Sequence, residues 1–100
     1  MIHEIASLSV KPDQIESFKR AFDSVAPLLV RASGYRGHQL MQGVETPSHF
    51  DLIVQWRTLE DHTHVFEPSS DHQAFMAGLQ DHLAAEPSVH HVRDASLPAD

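Results

Sequence analysis

A chain of 100 residues with 41% apolar and 21% charged side chains has the makeup of one folded domain, not of a disordered segment. Its net charge of −7 with neutral histidines argues against nucleic acid and anionic membrane surfaces as partners, since both attract basic patches. With no cysteine in the chain, disulfides, thiolate zinc sites and a cysteine nucleophile are excluded.

A domain of this size buries roughly two-thirds of its unfolded surface, enough to fold alone with little to spare. The ordered core is expected over about residues 2–95. Met1-Ile2-His3-Glu4 offers neither a basic stretch nor a long apolar run, so no signal peptide is expected. No stretch approaches the ~20 apolar residues of a membrane span, and the cytoplasm is the expected compartment.

Residues 2–10 read as a first strand, with Ile2, Ala6, Leu8 and Val10 on the parity that should meet helices and His3, Ser7 and Ser9 on the other. Ile5 breaks the alternation, so the second face is not wholly wet. Lys11-Pro12-Asp13 punctuates, and Ile15, Phe18, Phe22, Val25 and Leu29 then form one helical stripe. Pro27 costs a backbone hydrogen bond, so a kink or break is expected near Ser24–Ala26, and the helix should end by Ser33 with Gly34 as its stop.

A second strand is expected over 35–43, with Tyr35, Gly37, Gln39 and Met41 sharing a parity. A turn at Glu45-Thr46-Pro47-Ser48 leads into a third strand over 49–57. There Phe50, Leu52, Val54 and Trp56 share one face, while His49, Asp51, Ile53, Gln55 and Arg57 share the other. The short turn makes the two a hairpin. Thr58 should cap a short helix to Phe66 that gathers His62, Val65 and Phe66 on one side, and Pro68 stops it. Ser70 with Gln73 fits a capping box for a helix carrying Phe75, Leu79 and Leu83, closed by Glu86-Pro87. Residues 88–95 form a last strand with Val89, His91 and Arg93 on one parity, and Ser96–Asp100 should fray.

The order β-α-β-β-α-β predicts an α+β, ferredoxin-like domain whose helices cover one face of a four-stranded antiparallel sheet. The other face keeps Ile5 and Ile53, which suggests a homodimer with Asp51, Ile53 and Gln55 turned toward the partner sheet.

Nine histidines invite a search for chemistry, although composition bias is the plain explanation. His62 and His64 would point about 200° apart on a helix, and His90 and His91 would point to opposite faces of a strand. Without convergent ligands no metal site is expected. His62 has two readings: an inward general base tuned by its surroundings, or a core histidine whose ring nitrogens are met by backbone. Trp56, the sole tryptophan, is either a core aromatic or a ligand contact, and its indole N–H wants a partner when buried. His72 should lie near a helix start, and His91 could face the helices with Val89. Phosphate loops, nucleophile elbows and Rossmann fingerprints are absent, so any oxidation chemistry would run without a motif-bound cofactor or with one held by shape.

The run Leu52-Ile53-Val54-Gln55-Trp56-Arg57-Thr58-Leu59-Glu60-Asp61-His62-Thr63, followed by Phe66, Ser69 and Ser70, resembles the antibiotic biosynthesis monooxygenase family. Gly34-Tyr35 and Glu86-Pro87-Ser88-Val89-His90-His91 extend the likeness over about residues 2–94, though no piece is a catalytic signature. The resemblance implies a dimeric α/β barrel of ferredoxin-like protomers, each with a pocket between sheet and helices. Some members oxidise phenolic or quinol-type polyketides with O₂ and no cofactor. Carried over, it makes Trp56 the pocket tryptophan and His62 and His72 candidate bases, with Tyr35, Phe50, Phe66, Phe75 and His91 as walls around a small aromatic substrate. Relatives of the same fold that degrade haem use a first-strand asparagine and a late-helix histidine; this chain has no asparagine, and His82 lines up poorly. A non-catalytic small-ligand or haem-binding dimer, or a cyclase or isomerase, are the other functions the fold would carry.

Overall fold

The computed structural model describes residues 1–98, so the last part of the Ser96–Asp100 tail lies outside the described residues. Its elements run β1 (Ile2–Ser9), α1 (Ile15–Val30), β2 (Tyr35–Gln42), β3 (His49–Trp56), α2 (Ser70–Leu79) and β4 (Ser88–Val92). Single 3₁₀ turns sit at Pro12–Gln14 and Gln80–His82, and a π-helical turn spans Asp61–Phe66. The sheet order is β2-β3-β1-β4, with every neighbouring pair antiparallel. This is the ferredoxin-like α+β arrangement.

The even positions of β1 and β3 are driven inward by their alternation. Ala6, Leu8 and Val10 join Phe50, Leu52, Val54 and Trp56 in a core closed by Phe18, Phe22 and Leu29 of α1 and Phe75 and Leu79 of α2. Opposite them, Ile5 pairs with Ile53, and Ser7 with Asp51, on the face that no helix covers.

Several local expectations need correction. α1 runs through Pro27 to Val30 without the expected break, with Phe22 and Leu29 buried on either side of the proline. The parity expected along β2 is interrupted by a bulge between Tyr35 and Gly37, an extra residue that turns the strand over. Tyr35 therefore pairs with the inward Trp56, while Gly37, Gln39 and Met41 pair with the outward Gln55, Ile53 and Asp51. The cap of α2 is Ser69, not Ser70: its Oγ accepts the His72 N–H at 3.1 Å. α2 also stops at Leu79, so Leu83 lies beyond the helix, where it bridges to Val10. β4 ends at Val92, three residues short of the expected 95.

Gly34 sits at φ +83°, and a Cβ there would lie 2.3 Å from Asp61 Oδ2. A glycine is thus required both by the backbone region and by the close approach of the Asp61 side chain. Among the described residues, no helix is long and apolar enough to cross a membrane.

Candidate active site

The segment after β3 positions the site. Thr58 Oγ1 accepts the Asp61 N–H at 3.1 Å, and Arg57 donates two 3.0 Å bonds to the Asp61 carboxylate. These bonds to Arg57 hold the Asp61 carboxyl below its ordinary range. The next turn is wider than an α-helix, with the Glu67 N–H donating to the His62 carbonyl at 2.8 Å, five residues back. The widening keeps His62 and Phe66 inward but swings Val65 out to 51% exposure, so the expected trio is a pair.

His62 is 3% exposed, and side chains rather than backbone surround its ring. Nδ1 lies 2.7 Å from His91 Nε2, while Nε2 lies 3.3 Å from Glu4 Oε1 and 3.5 Å from Glu67 Oε2. The ring stacks on Trp56, with centroids 5.2 Å apart and planes at 17°. The Trp56 Nε1–H donates to the same Glu4 Oε1 at 3.0 Å, which answers its need for a partner.

Glu4 is the residue the sequence reading passed over. It occupies the apolar parity of β1, two positions before Ala6, and is 7% exposed. Burial pushes its carboxyl from an ordinary 4.5 up to about 7; the Trp56 hydrogen bond opposes that rise and the nearby Glu67 adds to it. Burial pulls the His62 ring down to about 4, helped by His91 and His72. Glu4 and His62 are therefore not a standing ion pair. The ring is neutral over the range in which the carboxyl ionises, so of the two groups only Glu4 titrates near neutrality.

The pair opens onto a cavity of about 380 Å³ between the sheet and α2. That volume suits a small organic ligand. The walls are mainly aliphatic and aromatic, among them Leu52, Val54, Phe66 and Phe75, with His72 also at the surface. Among the described residues, three carboxyl groups, Glu4, Glu67 and Glu86, line it, and no lysine or arginine does.

Of the eight residues expected at the site, His62, His72, Phe66 and Phe75 line this cavity. Trp56 is fully buried behind Glu4 and His62, and His91 touches the far side of the His62 ring. Tyr35 and Phe50 stand apart: the Tyr35 hydroxyl meets His38 Nδ1 at 2.5 Å, and Phe50 packs on Phe18. His82 is also elsewhere, its Nδ1 2.9 Å from Gln14 Oε1. Among the described residues, no group of three histidines, aspartates or glutamates is placed to hold a metal ion.

A ferredoxin-like sheet with a buried carboxyl and imidazole at a largely apolar cavity gives the fold class and the candidate site. The particular family follows from comparison: the profile of the family "Antibiotic biosynthesis monooxygenase" matches residues 1–78, and the chain belongs to that family. An uncharacterized Bacillus subtilis protein, YczJ, is 36% identical over 94 residues, covering 94% of this chain and 99% of its own. A Bordetella bronchiseptica protein, provisionally named an antibiotic biosynthesis monooxygenase, has a crystal structure that superposes with a TM-score of 0.91 at 33% identity, covering 95% of this chain and 97% of that one. SnoaB of Streptomyces nogalater, a cofactor-independent oxygenase, shares the fold with a TM-score of 0.81 at 11% identity, covering 99% of this chain and 97% of its own.

Proposed function

We propose that this protein is a cofactor-independent monooxygenase that oxidises a small phenolic or quinol-type aromatic with O₂. The observation that carries the reading is the Glu4–His62 pair, backed by Trp56, facing a largely apolar cavity. Glu4 near 7 has the affinity a general base needs at working pH. Its 3.3 Å separation from His62 is loose, as catalytic contacts often are before a ligand tightens them. His62 and His72 remain candidate bases beside it, and Phe66 and Phe75 offer aromatic walls. A lining with three carboxyl groups and neither lysine nor arginine disfavours anionic substrates and favours a neutral phenol.

In this reading the phenol O–H gives its proton to Glu4. The phenolate gives one electron to O₂, becoming a phenoxyl radical beside superoxide. Their recombination forms the new C–O bond, and a returning proton makes a hydroperoxide. Loss of water leaves a carbonyl at that carbon. Phenol plus O₂ thus gives quinone plus water, with no external reductant. An apolar wall favours the step by excluding bulk water from the radical pair.

The reading includes a homodimer, with the whole chain as one domain acting in the cytoplasm. Ile5 and Ile53 face one another's strands on the uncovered side, and Met41 beside them is 51% exposed, so a second copy is the economical cover. Sedimentation at micromolar concentration should give a dimer; a monomer would count against this part.

O₂ uptake with a panel of hydroquinones and anthrones tests the reaction, run beside a haem titration. Uptake that falls on substituting His62 and Trp56 supports it. Unaltered turnover in both variants, or a Soret shift without any turnover, would sink it in favour of a ligand- or haem-binding role. Turnover of a candidate ligand without O₂ consumption would instead favour a cyclase or isomerase built on the same acid–base pair.

A further inference from the structure

His91 occupies the edge strand β4, opposite Glu4 in register and partly open to solvent. It does not line the cavity, yet its Nε2 is 2.7 Å from His62 Nδ1. That separation requires one shared proton, since two N–H groups or two lone pairs would repel. On the other side of the ring, Nε2 faces Glu4 Oε1. Both nitrogens of a buried imidazole are thus engaged by groups that exchange protons, one at the cavity and one at the sheet edge.

We propose that Glu4, His62 and His91 form a proton relay that carries a proton taken up in the cavity to solvent, with His91 as its exit. The proposal rests on the acid–base reading of the site but not on the identity of the substrate. Two protonation states fit these separations, the 3.3 Å Glu4–His62 contact closing to a hydrogen bond in each. In the first, a protonated Glu4 donates to His62 Nε2, His62 Nδ1–H donates to His91 Nε2, and His91 carries its proton on Nδ1. In the second, Glu4 is ionised and accepts from His62 Nε2–H, while His62 Nδ1 accepts from His91 Nε2–H. Passing from the first to the second moves one proton along each link and releases one from His91 Nδ1 to water. No ring has to rotate, and atoms and charge balance.

The other titratable groups facing His62 are Glu67, from the residue after its own turn, and His72, from α2. Neither meets Nδ1, so the route through that nitrogen leads to His91 alone among the described residues. The role of His91 is consequently one of transfer and positioning, in place of the cavity wall expected from the resemblance.

The test reads tautomers in the protein without substrate, by ¹⁵N chemical shifts of labelled histidine over pH 5–9. Expected is a shared step: His62 and His91 both pass from the Nδ1–H to the Nε2–H form at the pH where the Glu4 carboxyl titrates by ¹³C. In Glu4→Gln, which cannot titrate, that step should vanish and His62 should hold one tautomer. A His62 ring that keeps one tautomer while Glu4 titrates, or a His91 that changes alone, overturns the relay. Where turnover is found, His91→Ala should lower kcat at least tenfold with KM little changed, and added imidazole should restore part of it; a loss that imidazole leaves untouched speaks for a merely structural His91. A tautomer step without O₂ uptake would keep the relay and refute the monooxygenase reading, so the two failures are distinguishable.

Discussion

Replacing Glu4 with glutamine should give a protein that turns over poorly and yet is more stable at pH 8 than the parent. The activity side follows from the loss of a cavity carboxyl raised to about 7, and a drop of 10²-fold or more is expected. The stability side follows from linkage. An acid whose folded affinity is raised contributes stability that is full below its unfolded value near 4.5 and is lost as pH climbs through about 7. Ionising Glu4 in place thus costs the parent on the order of 3 kcal/mol at pH 8, which a neutral carboxamide avoids. His62 has the opposite sign: its contribution is present above 6.5 and is lost as pH falls through about 4. In the parent the two slopes oppose one another between about 4.5 and 6.5, so stability there should be nearly level before declining toward 7. In Glu4→Gln only the rising histidine slope should remain, with a plateau at higher pH. Urea unfolding at half-unit pH steps reads both profiles, and a variant less stable than the parent at pH 8 would refute the strained carboxyl. The gain of stability with loss of function is the trade expected where a buried charge serves chemistry.

Trp56 supports the site from behind, and two substitutions separate its duties. Trp56→Ala empties a fully buried indole position between Phe66, His62 and the β1 strand. Truncations of this kind cost about 3–5 kcal/mol, a large part of the ~5–15 kcal/mol that holds a domain together. Trp56→Phe keeps most of the packing but removes the Nε1–H that stabilises the Glu4 carboxylate. Its expected signature is an upward move of the Glu4 titration, and with it an upward move of the acid limb of kcat/KM. A midpoint that stays in place or falls would mean the indole donor does not tune the carboxyl.

The fold was largely legible because two long periodicities agree. The strict alternation of Phe50, Leu52, Val54 and Trp56 and the helical stripe from Ile15 to Leu29 leave few ways to pack. What escaped was local backbone geometry that no periodicity encodes. The bulge before Gly37 reverses the parity of β2, and the π turn at Asp61–Phe66 expels Val65 while keeping His62. Glu4 was legible in principle: a carboxylate on the same parity as Ala6, Leu8 and Val10 must be buried if they are. The partition between residues that line the cavity and those behind it was not legible. Trp56 and Val54 share a parity, and only the stacking of His62 across the indole decides which of them meets a ligand.

The most direct test of the monooxygenase reading repeats the O₂ experiment under ¹⁸O₂ with whichever phenol or anthrone the protein consumes. The expected product carries one gas-derived oxygen in its new carbonyl, the other appearing in water, with one O₂ used per product. A product formed with no gas-derived oxygen, or one accompanied by stoichiometric hydrogen peroxide, would contradict it.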